Sequence, residues 1–250
     1  VSLIDKAIEI LKKQNSNSPL SVLELGAQQM YEKPYDGVNP FADEYYFSRG
    51  FAYYASVDIG SNHGKSNISS IDLGTPFISH FRNLSEVLPT PFERANLVTD
   101  FGTSEHVCGS KTTFMGEYLL GHTKPLALEE IETTKEQALY NCLVRKLIWC
   151  HKTGVIISEN PHTGHWRNPE DHPNCHHWFT PEFYPLLCEY IPKLNMIEHG
   201  THYAMDNHID GKEVYSIMQI HETVTIDYMT EVLPFELFLE KIYNVSVRLG

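Results

Sequence analysis

The feature that most constrains this chain is a series of short apolar runs, each closed by an acid and set apart by loop-like or helix-like stretches. The runs are residues 21–26 (SVLELG), Phe51 to Ile59 (FAYYASVDI), Ile68 to Leu73 (ISSIDL), Ala95 to Asp100 (ANLVTD) and Val155 to Glu159 (VIISE). Runs of this length, rich in branched and aromatic residues and bounded by glycine or polar residues, read as buried strands. Strands interleaved with helices indicate an α/β fold around a mostly parallel sheet. Residues Thr201 to Met205 and Val214 to Ile220 flank Asp210-Gly211, a hairpin signal that makes the closing strand antiparallel.

The helices have their own signals. Leu3, Ile4, Ala7, Ile8 and Leu11 recur at helical spacing before a break at Asn15 to Pro19, so the chain opens with an amphipathic helix. Thr134 with Gln137 forms a capping-box pattern for a helix over Thr134 to His151, with Leu139, Cys142, Leu143, Leu147 and Cys150 on one face and Gly154 as the stop. Thr180-Pro181-Glu182 reads as N-cap, N1 proline and first-turn acid of another helix, with Leu186, Leu187, Tyr190 and Ile191 inward. Phe77 to Leu88 reads as a helix, and Pro234 to Tyr243 closes the chain with Leu237, Phe238 and Ile242 inward. Only Gly60 to Asn67 separates the second and third runs, which is tight for parallel neighbours, whose crossover takes a dozen residues or more. Residues 1–250 read as one domain, with an N-terminal helix in 1–19, an aromatic lid over 27–50 and a histidine-rich loop over 161–179.

Lys plus Arg number 19 against 32 Asp plus Glu, a formal charge of −13, which disfavours broad phosphate neutralisation and with it nucleic-acid binding. Five cysteines without a C-x-x-C pair point to a reducing, cytoplasmic setting. No stretch approaches the ~18 apolar residues of a membrane span, so no membrane association is expected.

In an open α/β sheet the ligand lies across the carboxyl ends of the strands. Glu24, Asp58, Asp72, Asp100 and Glu159 stand at those ends here, and carboxylates suit ribose hydroxyls, an adenine amine or a cationic ligand. Residues 24–28 (ELGAQ) lack the G-x-G-x-x-G fingerprint that cradles a pyrophosphate. Taken in order, VLELG, SVDI, IDL, NLVTDFGTSEHV (96–107), GVIISENP (154–161) and the Asp-Gly hairpin resemble class I S-adenosylmethionine-dependent methyltransferases over roughly residues 20–221. FGTSEHV with HWFTPEFY (177–184) is similar to a group of small bacterial and phage methyltransferases. The resemblance implies a Rossmann-like class I methyltransferase fold, a mostly parallel seven-stranded sheet with an antiparallel last strand, binding S-adenosylmethionine. It implies that Glu24, Leu25, Gly26, Ala27 and Gln28 form the turn facing the methionine moiety and that Asp58 and Ile59 hold the ribose hydroxyls. Asp72 and Leu73 would meet the adenine, and Asp100, Phe101 and Gly102 would line the methyl end. The turn continues here as Ala27-Gln28-Gln29 where the family has further glycines.

Methyl transfer to a hydroxyl requires a positioned acceptor and a base for its proton. His106, just past the fourth strand, is the first candidate, with Glu159, His162, His165 and His177 behind it among 14 histidines. Tyr31, Tyr35, Tyr45, Tyr46 and Phe47 either cover a ligand or pack as core. Residues 162–178 hold five histidines and Cys175, which admits a metal at His172, Cys175, His176 and His177 or a loop over the acceptor site. Asp100, Glu159 and Asn160 resemble the divalent-ion site of metal-dependent O-methyltransferases and would suit magnesium. Residues 60–66 (GSNHGKS) are one short of a phosphate-binding loop and precede a strand-like run, which argues against an NTPase. Residues 102–106 (GTSEH) lack the second glycine of a hydrolase nucleophile elbow. The sequence thus points to methyl transfer from S-adenosylmethionine to a small-molecule or glycan hydroxyl. The competing reading is a methyltransferase-like fold kept as a non-catalytic binding or assembly module.

Overall fold

A computed structural model describes residues 2–14, 18–25, 42–58, 77–81, 94–107, 134–163, 175–203 and 211–249. Within them a seven-stranded sheet runs in the order β3-β2-β1-β4-β5-β8-β7. The strands are β1 (Leu20–Leu25), β2 (Phe51–Asp58), β3 (Phe77–Phe81), β4 (Ala95–Phe101), β5 (Cys150–Pro161), β7 (Leu194–Tyr203) and β8 (Lys212–Ile220). Neighbours β3 to β5 all pair in parallel, while β8 is antiparallel to both β5 and β7. The expected mostly parallel sheet with a reversed last strand is therefore found. A separate two-stranded sheet joins β6 (His177–Phe179) to β9 (Val247–Leu249).

Two apolar layers cover the sheet. On one face α1 (Leu3–Gln14) and α2 (Ala42–Ser48) bury Ile4, Ala7, Ile8, Leu11 and Tyr46 against Val22, Leu97, Ile157 and Ile217. The other face is covered by α3 (Lys135–Trp149), α4 (Phe183–Tyr190), α5 (Ile226–Val232) and a C-terminal segment. That segment comprises α6 (Phe235–Phe238), a π turn (Leu239–Tyr243) and α7 (Asn244–Ser246). These bury Leu139, Leu147, Leu187 and Phe238 against Leu23, Leu25, Val98 and Ile156. The split follows strand alternation, since successive side chains point to opposite faces and both faces are covered. Among the described residues no helix is long and apolar enough to cross a membrane.

Several expectations need correcting. The third strand of the sheet is Phe77–Phe81, where a helix was expected, and Ile68 to Leu73 lie outside the described residues. Between β2 and its parallel neighbour β3 lie residues 59–76, more than the dozen a parallel link needs. Thr134 does cap α3, accepting from the Gln137 backbone N–H at 3.1 Å, but the Gln137 side chain turns to Asn141 instead of closing the box. Helix α4 opens at Phe183 with Glu182 as its N-cap, two residues later than the expected start at Pro181. Strand β7 begins at Leu194, well before Thr201, and the hairpin connection occupies 204–211, with Met205 and Asp210 outside the described residues.

Gly154 is not a helix stop. Helix α3 ends at Trp149 and Cys150 already belongs to β5. Residues 151–154 then form an irregular excursion, because Cys150 pairs with Ala95 while Val155 pairs with Leu97. Thr153 takes a left-handed backbone, φ 69°, and a Cβ on Gly154 would meet Cys150 Sγ at 2.6 Å and the His151 carbonyl oxygen at 2.7 Å. Glycine is required there by space. Gly154→Ala is expected to cost about 1–3 kcal/mol, the range for forcing extra volume into packed surroundings, read as a lowered denaturant midpoint; an unchanged midpoint would contradict this reading of the bend.

Candidate functional site

The parallel strands all end at one edge of the sheet. Leu25 pairs with Val57 on β2 and with Asp100 on β4, and Phe101 pairs with Glu159 on β5. The reversed β8 starts at this edge, where Pro161 opposes Glu213, and β7 ends there at Tyr203. The chain leaves β1 toward β2 and β3 on one side and later returns to build β4 and β5 on the other. The gap between β1 and β4 is therefore the switch point where an α/β sheet opens a ligand crevice.

On the α1/α2 face, Glu24 is buried near the end of β1 and accepts a 2.5 Å hydrogen bond from the Tyr54 hydroxyl. Tyr46 packs on Tyr54, Tyr45 and Phe51 and donates to Thr99 Oγ1 at 3.3 Å. Burial first, then the Glu24 charge, hold its phenol well above the usual range. Tyr45 and Tyr46 are thus interior side chains, while Tyr31 and Tyr35 lie outside the described residues. The backbone of β2 ends at Asp58, level with Phe81.

On the opposite face, Asp100 organises the loop after β4. Its Oδ1 accepts from the backbone N–H groups of Thr103 and Ser104 at 3.2 and 3.1 Å. Its Oδ2 accepts from the Ser104 hydroxyl at 2.5 Å and from Lys146 Nζ of α3 at 2.6 Å. Lys146 also reaches Ser104 Oγ (3.1 Å) and Ser158 Oγ (3.4 Å). Burial opposes its charge, but the Asp100 carboxylate together with the nearby Cys142 and Glu105 raises the ammonium above its ordinary value. The loop is further tied by Thr103 Oγ1, which donates to the Leu25 carbonyl at 2.7 Å, and by the Gly102 N–H, which donates to the Glu159 carbonyl at 2.8 Å. Gly102 adopts φ +69°, and a Cβ there would lie 3.2 Å from Glu105 Oε1. Burial, then the Asp100 charge, push the Glu105 carboxyl well above its usual range.

A second polar group gathers on the α1/α2 face. His202 Nε2 lies 3.3 Å from Glu159 Oε1 and 3.3 Å from Glu213 Oε2. Hydrogen bonding to Glu159 and then Glu213 raises the imidazole to about 10. Burial, then the hydrogen bond with Glu159 and the Glu159 charge, lift the Glu213 carboxyl to about 7; for Glu159 burial is outweighed only by its hydrogen bonds with His202 and Glu213 together with the His202 charge, and its carboxyl is lowered.

The residues singled out from sequence fall at several places. Glu24, Leu25, Asp100, Phe101 and Gly102 line the β1/β4 edge, and the Asp58 backbone ends β2 beside them. Gly26, Ala27, Gln28, Ile59, Asp72 and Leu73 lie outside the described residues. His106 closes a 3-10 turn, Ser104–His106, directly after the β4 loop. His162 follows β5, bridging to Phe179, with Nδ1 2.6 Å from the Thr163 carbonyl. His177 is interior: its Nε2 is 2.8 Å from the Val107 carbonyl and its Nδ1 3.1 Å from the Tyr243 hydroxyl. His165 and His172 lie outside the described residues, and Cys175 Sγ turns to the His177 carbonyl at 3.5 Å.

The expected magnesium set does not converge. Asp100 pairs with Ser158 and Phe101 with Glu159, so alternation puts Asp100 and Asn160 on the α3/α4 face and Glu159 on the other. Asn160 Nδ2 accordingly donates to Tyr184 of α4 at 2.5 Å, while Glu159 meets His202. His202 and Glu213 were missed because their meeting depends on hairpin register; the Asp-Gly signal marked the hairpin without fixing which residues oppose.

No protein-family model matches the chain, and no curated protein matches it in sequence. Solved structures do share the fold. A phosphoethanolamine N-methyltransferase of Haemonchus contortus, bound to phosphoethanolamine and S-adenosylhomocysteine, superposes with TM-score 0.51 at 10% identity over 96% of this chain, which spans 49% of that protein. A protein assigned as a methyltransferase, complexed with the Trm112 activator of Haloferax volcanii, gives TM-score 0.50 at 9% identity over 89% of this chain and 92% of its own. The N-methyltransferase NodS of Bradyrhizobium japonicum gives 0.48 at 9% identity over 88% and 96%. The architecture is that of a Rossmann-like methyltransferase sheet.

Two outcomes test the β4 loop. Lys146→Met strands Asp100 as a buried charge and is expected to lose about 3–5 kcal/mol of stability, with part recovered by adding Asp100→Asn; a denaturant midpoint near wild type would contradict the pairing. Glu105 has a folded value raised above 4.5, so its neutral form favours folding at low pH and that contribution fades as pH rises through the raised value. Glu105→Gln is therefore expected to gain stability relative to wild type as pH is raised from acid to neutral, and a difference independent of pH would contradict it.

Proposed function

We propose that this protein is a methyltransferase that uses S-adenosylmethionine and transfers the methyl group to a hydroxyl of a small molecule or glycan. The observation that carries the reading is the strand order with a reversed β8, which puts the ends of β1, β2 and β4 side by side at the switch point. The cofactor, when bound, supplies a methyl group on a sulfonium ready for in-line displacement.

The described residues fit such a ligand. The backbone of β2 ends at Asp58 beside the end of β1, and we assign Asp58 to the ribose hydroxyls. The Asp100 loop, locked to Leu25 and Glu159 by the Thr103 and Gly102 bonds, gives the methionine end a rigid wall. A glycine at 102 keeps that wall free of a side chain. His106, placed directly after the wall, is the residue we assign to take the acceptor proton, with His162 beyond β5 as the alternate. Acceptor binding falls to the neighbouring ends of β5, β7 and β8, where half-buried carboxylates suit hydroxyl groups.

Calorimetric titration with S-adenosylhomocysteine tests the reading. Saturable binding is expected, weakened roughly 10- to 100-fold by Asp58→Ala, the worth of a charge-assisted hydrogen bond of about 1.5–3 kcal/mol. Absence of binding by folded wild-type protein would support the non-catalytic module instead. His106→Ala is expected to keep that binding and to lose turnover; a variant with full turnover would remove His106 as the base.

A further inference from the structure

We propose that Glu159, His202 and Glu213 form a binding site for a divalent transition-metal cation. The three side chains come from three adjacent strands, β5, β7 and β8, and meet at the carboxyl edge of the sheet. Their ligand atoms all lie within 4.8 Å of one another. The separations of 3.3 Å from His202 Nε2 to each carboxylate match the roughly 3.3 Å edge of a tetrahedron whose metal–ligand bonds are about 2.0–2.1 Å. The donors therefore need little movement to share one ion.

The ligand set is pre-positioned by its neighbours. Cross-strand register puts His202 directly opposite Glu213. The His202 ring stacks on Tyr215, with centroids 5.1 Å apart and planes 17° from parallel. Tyr215 is anchored in turn, its hydroxyl donating to Glu198 at 3.2 Å, and Glu198 pairs with Lys6 of α1 at 2.6 Å. Fixing the rings and carboxylates from outside is how protein metal sites hold geometry.

The donors also select the ion. Two carboxylates and an imidazole suit Zn2+, Mn2+ or Fe2+, whereas magnesium and calcium favour oxygen ligands alone. Side-chain exposures of 34% for His202, 18% for Glu159 and 21% for Glu213 leave one side of the site open to solvent. Three protein ligands with an open position are the pattern of a catalytic rather than a structural ion, able to hold a water or a substrate oxygen. Cation binding here stands independently of the methyl-transfer reading; if both hold, the ion lies where an acceptor hydroxyl would sit.

Calorimetric titration of chelator-treated full-length protein with Zn2+ tests the site, alongside His202→Ala and Glu213→Gln, each verified as folded by circular dichroism. Wild type is expected to bind an equivalent that each variant loses or weakens roughly tenfold or more, the scale of effect for groups supporting a metal centre. Glu213→Gln keeps the side-chain shape and decides the matter if His202→Ala does not fold. No saturable binding by wild type, or wild-type affinity and stoichiometry in either folded variant, would overturn the proposal.

Discussion

A buried ion pair, Asp100 with Lys146, fixes the loop at the carboxyl edge of the sheet where the candidate site lies. The aspartate is the penultimate residue of the central strand β4 and the lysine projects from α3, so the pair joins the sheet to the helix that covers it. Side-chain exposure of 4% for the lysine and none for the aspartate removes both charges from water, a cost offset only because hydrogen bonds saturate the carboxylate from four directions. Those same bonds shape the loop at residues 102–106. An apolar pair of similar volume would hold helix to sheet without giving that loop its form.

The alternation of β5 then divides the chemistry in two. Ser158 and Asn160 face α3 and α4, joining the network of Asp100, Lys146 and Tyr184. Glu159 faces the other way and meets two residues of the reversed hairpin. A single strand end thus serves a rigid internal network on one side and a solvent-accessible acid and imidazole group on the other. The reversal of β8 is what makes the second possible, because it returns Glu213 to the carboxyl edge directly opposite His202.

Much of this was legible from local pattern. The apolar runs that became β1, β2, β4 and β5, the N-terminal helix and the Thr134 cap all rest on signals within a few residues, and the structure reproduces them. What failed depended on information spread along the chain. Phe77–Phe81 carries a strand in a segment whose apolar spacing also fits a helix. Gly154 looked like a helix stop, yet its role follows from contacts with Cys150 and Asn96 that only the sheet creates. Asp100, Glu159 and Asn160 share strand ends but not a face, because one residue of offset separates Asp100 from Glu159. His202 carried no motif, and its significance arises from a partner across a hairpin.

The central claim is that the ends of β1, β2 and β4 form a binding site for a sulfonium cofactor. Hydrogen exchange of the full-length protein with and without S-adenosylhomocysteine tests it most directly. The account expects slowed exchange concentrated around residues 24–28, 58–59 and 100–104, with little change in the β7–β8 hairpin. Exchange that the ligand leaves unaltered at those three strand ends, or slows only elsewhere, would contradict it.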